Sequence, residues 1–508
     1  MVDSPKLFQR VFDARGDALP PEDIGLEGLP DESLMANIEL VAQRIREAIY
    51  QNEPMIIFGH DDPDGITSSY VLYSFLNSCG YQKHSYYIPN RNLESHGIQE
   101  GFIEHVRKGG YKLVITVDNG IAAYDGVEAL NEMGCDVIIT DHHLIQPDLL
   151  PNAYAILNPH LPNCEYPYKS LAGVGVALML IRYLSKTWDH PISDACYLWT
   201  AVGSIADKVP MTGLNRIIVR HVIKNFHNIQ DNTIDFLLRN YRRVDTETDI
   251  FNFLSYTARI IANGREAGGE HTAMRFILQL SDAKAKLFEE LELQRSNWES
   301  DLNRVFLFLD TLSAGFVGNY FVYFDDDDVI PYHLMGTASS FIVNRLGIPA
   351  IMLKYHNGKM VCEGRCDDGF NMVHAFNHCR EHLIQFGGHV KAAGFTMLPE
   401  SYDAFLECYN GYVMENFKND KAEKEHGYDT EAKLSELTPH CWEKLEYMLP
   451  WGQMNSEPQL LLRGVSAKDF NPYWNFDYSG LKLPEEGEFD IIALWKNPNQ
   501  LKIIQILK

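Results

Sequence analysis

The chain carries little positive charge for its length. Its 508 residues hold 44 Lys and Arg against 69 Asp and Glu, a formal net charge of −25 at pH 7. A balance this acidic excludes gripping a nucleic acid through a broad electrostatic footprint. Any polyanion has to be met with bound cations and a local basic groove. Cysteine is scarce as well: nine residues, an odd number, scattered without a CxxC pair. The closest two, Cys362 and Cys366, lie in a segment without His partners. That excludes a disulfide framework or a zinc knuckle and leaves reduced thiols, mostly as core filler. No apolar run approaches the ~20 residues of a membrane span. The most apolar helical stretch, 174–184, is short and contains Arg182. The first 19 residues have no signal-peptide core, so the expected address is cytoplasmic, with no membrane partner. Fixed-period repeats and low-complexity segments are absent too.

What is present is ordinary globular composition, 45% hydrophobic and 22% charged, in a chain long enough for two to four domains. Residues 1–50 read as a polar lead-in with a helix over 31–50. An alternation then begins: strands over 55–58, 85–88, 112–117 and 135–140, and helices over 67–79, 98–108 and 122–133. Short apolar runs alternating with helical spacing mean βαβ units and a parallel sheet covered on both faces. Helices over 174–186, 193–202 and 216–226 follow, completing a domain over 51–235. Residues 236–312 read as a helical connector, and the charged, Gly- and Pro-free stretch 283–309 as one long linking helix. Strands return at 320–324, 350–355 and 359–364, with helices over 336–346 and 371–382, giving a second, smaller α/β domain over 313–418. A charged linker, 419–426, precedes a C-terminal region, 427–508, read as a small β module with strands over 459–465, 480–483, 489–496 and 501–507.

Three of the predicted strands run into the same chemistry. The first reaches His60, Asp61, Asp62 and Asp64, the third Asp118-Asn119-Gly120, the fourth Asp141-His142-His143; a further acid, Asp207, follows an apolar helix in AVGSIADKVP. In open parallel sheets ligands sit beyond the carboxyl ends of strands, so residues far apart in sequence converge there. Gathered carboxylates repel one another. Two divalent cations remove that repulsion, and Asp oxygens mixed with His nitrogens suit manganese or magnesium. Two metals about 3.5–4 Å apart are the standard arrangement for displacement at phosphorus. Each piece alone has a blander reading. Asp64-Gly65 and Asp118-Asn119-Gly120 are also ordinary turn or helix-cap sequences. Asp141 either touches metal or holds a His ring from behind it, and His60 is a ligand or a lining residue. The acidic run Asp325 to Asp328 reads as a solvated loop.

On these residues the chain resembles the DHH phosphoesterase family. GHDDPDG (59–65), VDNG (117–120), TDHH (140–143) and GSIADKVP (203–210) match its four motifs in order. YIPNR (87–91), the NPH stretch from Asn158, YPYKSLAGVGVA (166–177), ANGR (262–265), the DHHA1-type signature GGHVKAAGF (387–395) and LPWGQMNSEP (449–458) are similar to the RecJ-type single-strand-specific exonucleases. The fold implied is a parallel-sheet DHH domain joined by a long helix to a smaller α/β DHHA1 domain, with a small OB-like β module at the C-terminus. The resemblance implies Asp62, Asp64, Asp118, His142 and Asp207 as ligands of two Mn2+ or Mg2+ ions, Asp118 bridging both and His60 as a further candidate. His143 would touch the scissile phosphate, with Asp141 and Asp118 beside it in the catalytic set. Arg265, Arg365, Gly387, Gly388 and His389 would bind substrate phosphates, and Arg91 would lie near the terminal 5′ phosphate. Read from the residues alone, Gly387-Gly388-His389 is either an anion-binding turn or a tight turn packing Ala392 and Ala393 into a core. Arg265 and Arg365 are either groove residues or ion pairs. Lys169, Arg216 and Lys391 are weaker groove candidates.

The sequence departs from that pattern in places. His96 stands where the family often has Tyr, and Glu363-Gly364-Arg365-Cys366 replaces an S-x-R-S element. The C-terminal module is short for a complete barrel, and its aromatics Phe470, Tyr473, Trp474, Phe476 and Tyr478 serve either as stacking platforms or as core filling. The expected function is a two-metal 5′-to-3′ exonuclease that reduces single-stranded DNA to 5′ mononucleotides in repair and recombination. Single-stranded-DNA-binding protein or other repair and replication proteins are the partners considered. Two rivals are a phosphodiesterase for short oligonucleotides or cyclic dinucleotides, and a replication scaffold of the same fold without activity.

Overall fold

The computed structural model describes residues 5–16, 24–90, 93–94, 97–145, 149–280, 283–356, 358–418, 427–469, 475–477 and 487–507. The expectations for Arg91 and His96, for a strand over 480–483, and for the aromatic side chains between 470 and 478 fall outside the described residues or side chains. The chain divides into two units, one formed by Pro30–Gly203 with Thr257–Asp420, the other by Met1–Leu29, Ser204–Tyr256 and Lys421–Lys508.

The larger unit contains two sheets. The first has strands β1 (Met55–Phe58), β2 (His84–Tyr87), β3 (Leu113–Val117), β4 (Asp136–Thr140) and β5 (Ala155–Leu157), in the order β2-β1-β3-β4-β5 and all parallel. β1 and β3 are buried throughout, as a parallel sheet covered on both faces requires. The strand order reverses between β1 and β3, and that reversal opens a crevice at the carboxyl ends of the two strands. The helix after β1 spans Pro63–Ser78, with proline in its first turn and Asp62 as N-cap accepting from Gly65 N. It therefore starts earlier than the expected 67. The Asp-Pro-Asp-Gly that reads as a turn is the helix start, since proline's missing N–H costs nothing there. The expected 31–50 helix instead spans Ile38–Gln51. Asp31 caps a short 3-10 turn at Glu32–Leu34, and Asn37 adopts φ 67°, which breaks the path between them.

The second sheet runs β6 (Phe321–Asp325), β7 (Ala350–His356), β8 (Lys359–Arg365), β9 (Gln385–Gly388) and β10 (Ala392–Met397), in the order β6-β7-β8-β10-β9. The long helix expected over 283–309 is a single helix, Ala283–Ser313. Val305 and Leu309 from its last turns pack with Met335, Ala338 and Ile342 and with Ala350 and Met352 of β7. On the other face Phe376, Phe395 and Phe405 make a second cluster with Cys362, Cys366 and Cys379. All nine thiols are free, and seven are buried. The acidic run is not wholly solvated. Asp325 is buried and accepts from Val329 N, Ile330 N and Lys354 Nζ.

The smaller unit holds β11 (Thr430–Ala432), β12 (Gln459–Ser466), β13 (Asn475–Asp477), β14 (Glu488–Asn497) and β15 (Gln500–Leu507), a sheet of order β11-β12-β14-β15-β13. Three of these match expected strands; β11 and β13 are too short to leave an apolar pattern. Arg15, on the Pro5–Arg15 helix, pairs with Asp429 and donates to Asn455 Oδ1 at 3.0 Å, tying the two chain ends of this unit together. Arg216 is buried, with its guanidinium donating to the carbonyls of Leu449 and Tyr447. It is structural, not a surface groove residue. Among the described residues no helix is long and apolar enough to cross a membrane.

Phe376 is fully buried and meets Phe395 edge-on at 4.8 Å. Phe376→Ala is expected to cost about 3–5 kcal/mol, read as a lower urea midpoint.

Candidate metal centre

The polar residues after β1 divide their work. Asp62 spends Oδ1 on Gly65 N at 3.0 Å, the N-cap bond, and turns Oδ2 to His60 Nδ1 at 3.1 Å. Gly65 is obligatory here, because a Cβ would lie 2.5 Å from the His60 carbonyl oxygen. Asp64, in the first turn of the helix, is buried. Its Oδ2 accepts from Gly173 N at 2.7 Å and its Oδ1 from Val174 N at 2.8 Å. These are the first amides of the Gly173–Trp188 helix, a site that favours negative charge. Burial, then the neighbouring Asp62 charge, nevertheless push Asp64 up to about 7.

Asp118 follows β3 with φ 60°, a left-handed conformation uncommon outside glycine. That strain turns the carboxylate into the crevice, where it straddles two groups. Oδ2 lies 3.8 Å from His60 Nδ1 and Oδ1 lies 3.0 Å from His142 Nε2. Asp64 Oδ2 is 3.8 Å from the same His142 nitrogen. His60, Asp62 and Asp118 offer ligand atoms all within 4.8 Å of one another. His142, after β4, sends Nδ1 to the Leu171 carbonyl at 2.9 Å. A carbonyl only accepts, so Nδ1 carries the proton and Nε2 presents a lone pair to the carboxylates. Burial, followed by His143, lowers His142 to about 3, so the ring is neutral.

Carboxylate oxygens facing an imidazole lone pair at 3.0 Å repel until a cation lies among them. The donor set fits manganese or magnesium. One group is His60, Asp62 and Asp118 Oδ2; the other is Asp64, Asp118 Oδ1 and His142, with Asp118 common to both.

Asp141 stands behind the ligand candidates. Its Oδ1 accepts from His142 N at 2.7 Å, His143 N at 3.1 Å and His143 Nδ1 at 2.7 Å, and its Oδ2 from Ile121 N at 3.0 Å. Burial opposes its charge, but His143 holds the carboxyl well below its ordinary range. Of the two sequence readings of Asp141, the geometry has it orienting His143. Burial works against protonation of His143, and Asp141 outweighs it, raising that imidazole.

His389 reaches this place from the second sheet of the same unit. Its ring stacks on His143 at 4.8 Å and 14°, and lies 5.1 Å from His142. The Gly-Gly-His element ends β9 and opens the β9–β10 hairpin turn, which is closed by His389 N to Ala392 O at 2.7 Å. Gly388 has φ 132°, and a Cβ there would meet Ala392 O at 2.4 Å. Of the two alanines in the tight-turn reading, Ala393 is buried in the core and Ala392 only partly buried. Both arginines are engaged within the chain. Arg265 Nε donates to Asp61 Oδ2 at 2.8 Å, and Arg365 Nη1 to Glu363 Oε2 at 3.0 Å and Gly364 O at 2.8 Å. Of the weaker candidates in this unit, Lys169 donates to Cys164 O and Lys391 pairs with Asp368. Asp207 is the last residue of the Asp194–Asp207 helix and belongs to the smaller unit.

Sequence reasoning assigned no role to LAGVGVA. That segment supplies the Leu171 carbonyl to His142 and the Gly173 and Val174 amides to Asp64. A Cβ on Gly173 would lie 2.5 Å from Asp118 Cβ. These groups act through backbone and through lack of bulk, so residue chemistry gave no signal; only the motif match marked them. Asn158 supports the site as well, donating to the His143 carbonyl at 3.0 Å. Gly173→Ala is expected to displace Asp118 and weaken Mn2+ binding roughly 10–100-fold, read by calorimetric titration, with unchanged far-UV circular dichroism.

A family model described as DHH family, N-terminal domain, matches residues 54–203. The chain is 28% identical over 447 residues to the single-stranded-DNA-specific exonuclease RecJ of Bacillus subtilis (strain 168), covering 86% of this chain and 55% of that protein. RecJ of Escherichia coli (strain K12) is 27% identical over 490 residues, covering 89% of this chain and 82% of the relative. The chain thus spans little more than half the length of the Bacillus relative. Among solved structures, RecJ from Thermus thermophilus in complex with Mn2+ aligns with a TM-score of 0.73 over 99% of this chain and 76% of that one, at 21% identity. A structure of exonuclease RecJ bound to manganese aligns at 25% identity with a TM-score of 0.59, covering 76% of this chain and 96% of that one. The family match encloses all three strand ends that build the crevice: residues 54–203 are similar to the N-terminal domain of the DHH family, in a chain similar over most of its length to the RecJ exonucleases.

Proposed function

We propose that this chain is a metal-dependent exonuclease that hydrolyses phosphodiester bonds of single-stranded DNA from the 5′ end, releasing 5′ mononucleotides. The observation that carries the reading is Asp118, which offers one oxygen to each of two ligand groups. The similarity to single-stranded-DNA-specific exonucleases over most of the chain supports the substrate, and the polarity is the one that the RecJ-type motif resemblance implies. His60, Asp62 and Asp118 would hold one cation; Asp64, Asp118 and His142 would hold the other, with Asp207 as the further ligand that the fourth motif implies. When bound, two divalent cations neutralise the phosphoryl oxygens and make a water acidic enough to attack phosphorus.

The chain's own side chains do the rest. Asp141 fixes the proton of His143 on Nδ1, so Nε2 is the atom that meets the scissile phosphate. His389, stacked on His143, limits that ring's rotation and adds a second imidazole edge. Arg365 and the Gly387-Gly388-His389 turn would receive substrate phosphates, with Arg91 as the further basic residue of this reading; the Arg265 guanidinium is held by Asp61 instead. Glu363 beside Arg365 lowers the net charge there, which favours weak, release-competent contact over tight binding. A cytoplasmic setting and repair or replication proteins as partners belong to the same proposal.

Purified protein with Mn2+ and a length series of 5′-phosphorylated single strands tests it. Mononucleotides are expected from long strands as well as short ones, with loss of activity in EDTA and its recovery on adding Mn2+. Asp118→Asn is expected to lower kcat by at least roughly 100-fold, about 2.7 kcal/mol of transition-state stabilisation. Cleavage confined to dimers to pentamers would replace the substrate class. Equal, negligible activity of wild type and variant across metals would replace the enzyme with a scaffold.

A further inference from the structure

Asp61 lies between two ligand candidates, His60 and Asp62, yet it belongs to neither ligand group. It is buried at 1% exposure, in a turn where a carboxylate is costly to keep charged. Its partner comes from a distant segment. Arg265 donates Nε to Asp61 Oδ2 at 2.8 Å, Nη2 to the Asp61 backbone carbonyl at 3.0 Å and Nη1 to Ala262 O at 3.2 Å. One guanidinium therefore holds both the side chain and the main chain of a single residue, a fork that lysine cannot reproduce.

Arg265 is itself anchored on several sides. Its backbone pairs with His271 in an isolated antiparallel bridge. Gly264 N donates to Gln294 Oε1 of the long Ala283–Ser313 helix at 2.8 Å, and Thr272 N to Gly264 O at 2.7 Å. Ile88 N donates to Gly269 O at 2.9 Å, and Tyr86 Oη to Glu270 Oε2 at 3.0 Å, so the 264–271 loop is also fixed to β2 and the residue after it. The loop is a rigid mount whose working end is the Arg265 fork.

We propose that Arg265 is a positioning residue for the metal centre, acting through Asp61 to set the direction in which His60 and Asp62 present their ligand atoms. The inference rests on the two-cation reading and concerns a different function for Arg265 from contact with a substrate phosphate. Its basis is that Nε, Nη1 and Nη2 of the guanidinium each bond to the protein's own chain, and that their main target sits between two ligands.

The test uses the full chain with Mn2+ as probe. Arg265→Lys keeps the charge and loses the fork; Asp61→Asn keeps the shape and loses the charge. Each is expected to weaken Mn2+ binding roughly 10-fold or more, the usual effect of disturbing the residues that orient metal ligands. The double variant should be no weaker than the weaker single, because both changes break one unit. Affinity for single-stranded DNA in EDTA, and its salt dependence, should stay within about twofold of wild type, a readout that a phosphate contact would move. Unchanged Mn2+ affinity in Arg265→Lys, or a drop in DNA affinity confined to the Arg265 variants, overturns the inference. If Arg265→Lys fails to fold, Asp61→Asn carries the same metal readout. Absence of Mn2+ binding by the wild type would instead remove the two-cation reading itself.

Discussion

The site is organised by mutual repulsion held in place. Asp118 puts one oxygen 3.0 Å from a neutral imidazole lone pair on His142 and the other 3.8 Å from His60, while Asp64 is buried close by. None of these groups gains by meeting the others in a medium of low dielectric. They are kept together by bonds that point away from the crevice: Asp64 to two helix amides, His142 to a carbonyl, Asp62 to its own helix. The fold supplies the restraint, and a pair of cations supplies the attraction.

That restraint has an architectural origin. The strand order β2-β1-β3-β4-β5 reverses between β1 and β3, so the turns that leave those strands diverge and open a gap. The Gly173–Trp188 helix aims its first amides into that gap. Gly173 has no Cβ, and one there would lie 2.5 Å from Asp118 Cβ. The strained backbone at Asp118 is the cost of pointing a strand-end carboxylate at both ligand groups.

Much of this was legible in the sequence, for a specific reason. Strands β1, β3 and β4 are short apolar runs that stop abruptly at acidic and His residues, and parallel topology brings such ends together. The ligand candidates around Asp118 could thus be named before any geometry was known. What stayed hidden acts without distinctive side chains or across long separations. Leu171, Gly173 and Val174 work through the main chain. The turn at Gly387-Gly388-His389 was legible, but the strands of the β9–β10 hairpin that brings His389 onto His143 were not, because they are short and rich in small residues. Segments 1–29, 204–256 and 421–508 gather into one unit, which no local pattern encodes. The helix start at Pro63 was misplaced because the same four residues serve a turn and an N-cap equally well.

The positions that cations take in the crevice test the shared role of Asp118 most directly. Crystals grown with Mn2+ and measured at the manganese absorption edge should show two anomalous peaks flanking Asp118, one on the His60 and Asp62 side and one on the His142 and Asp64 side. A single peak that does not touch Asp118, or none in the crevice, would contradict it.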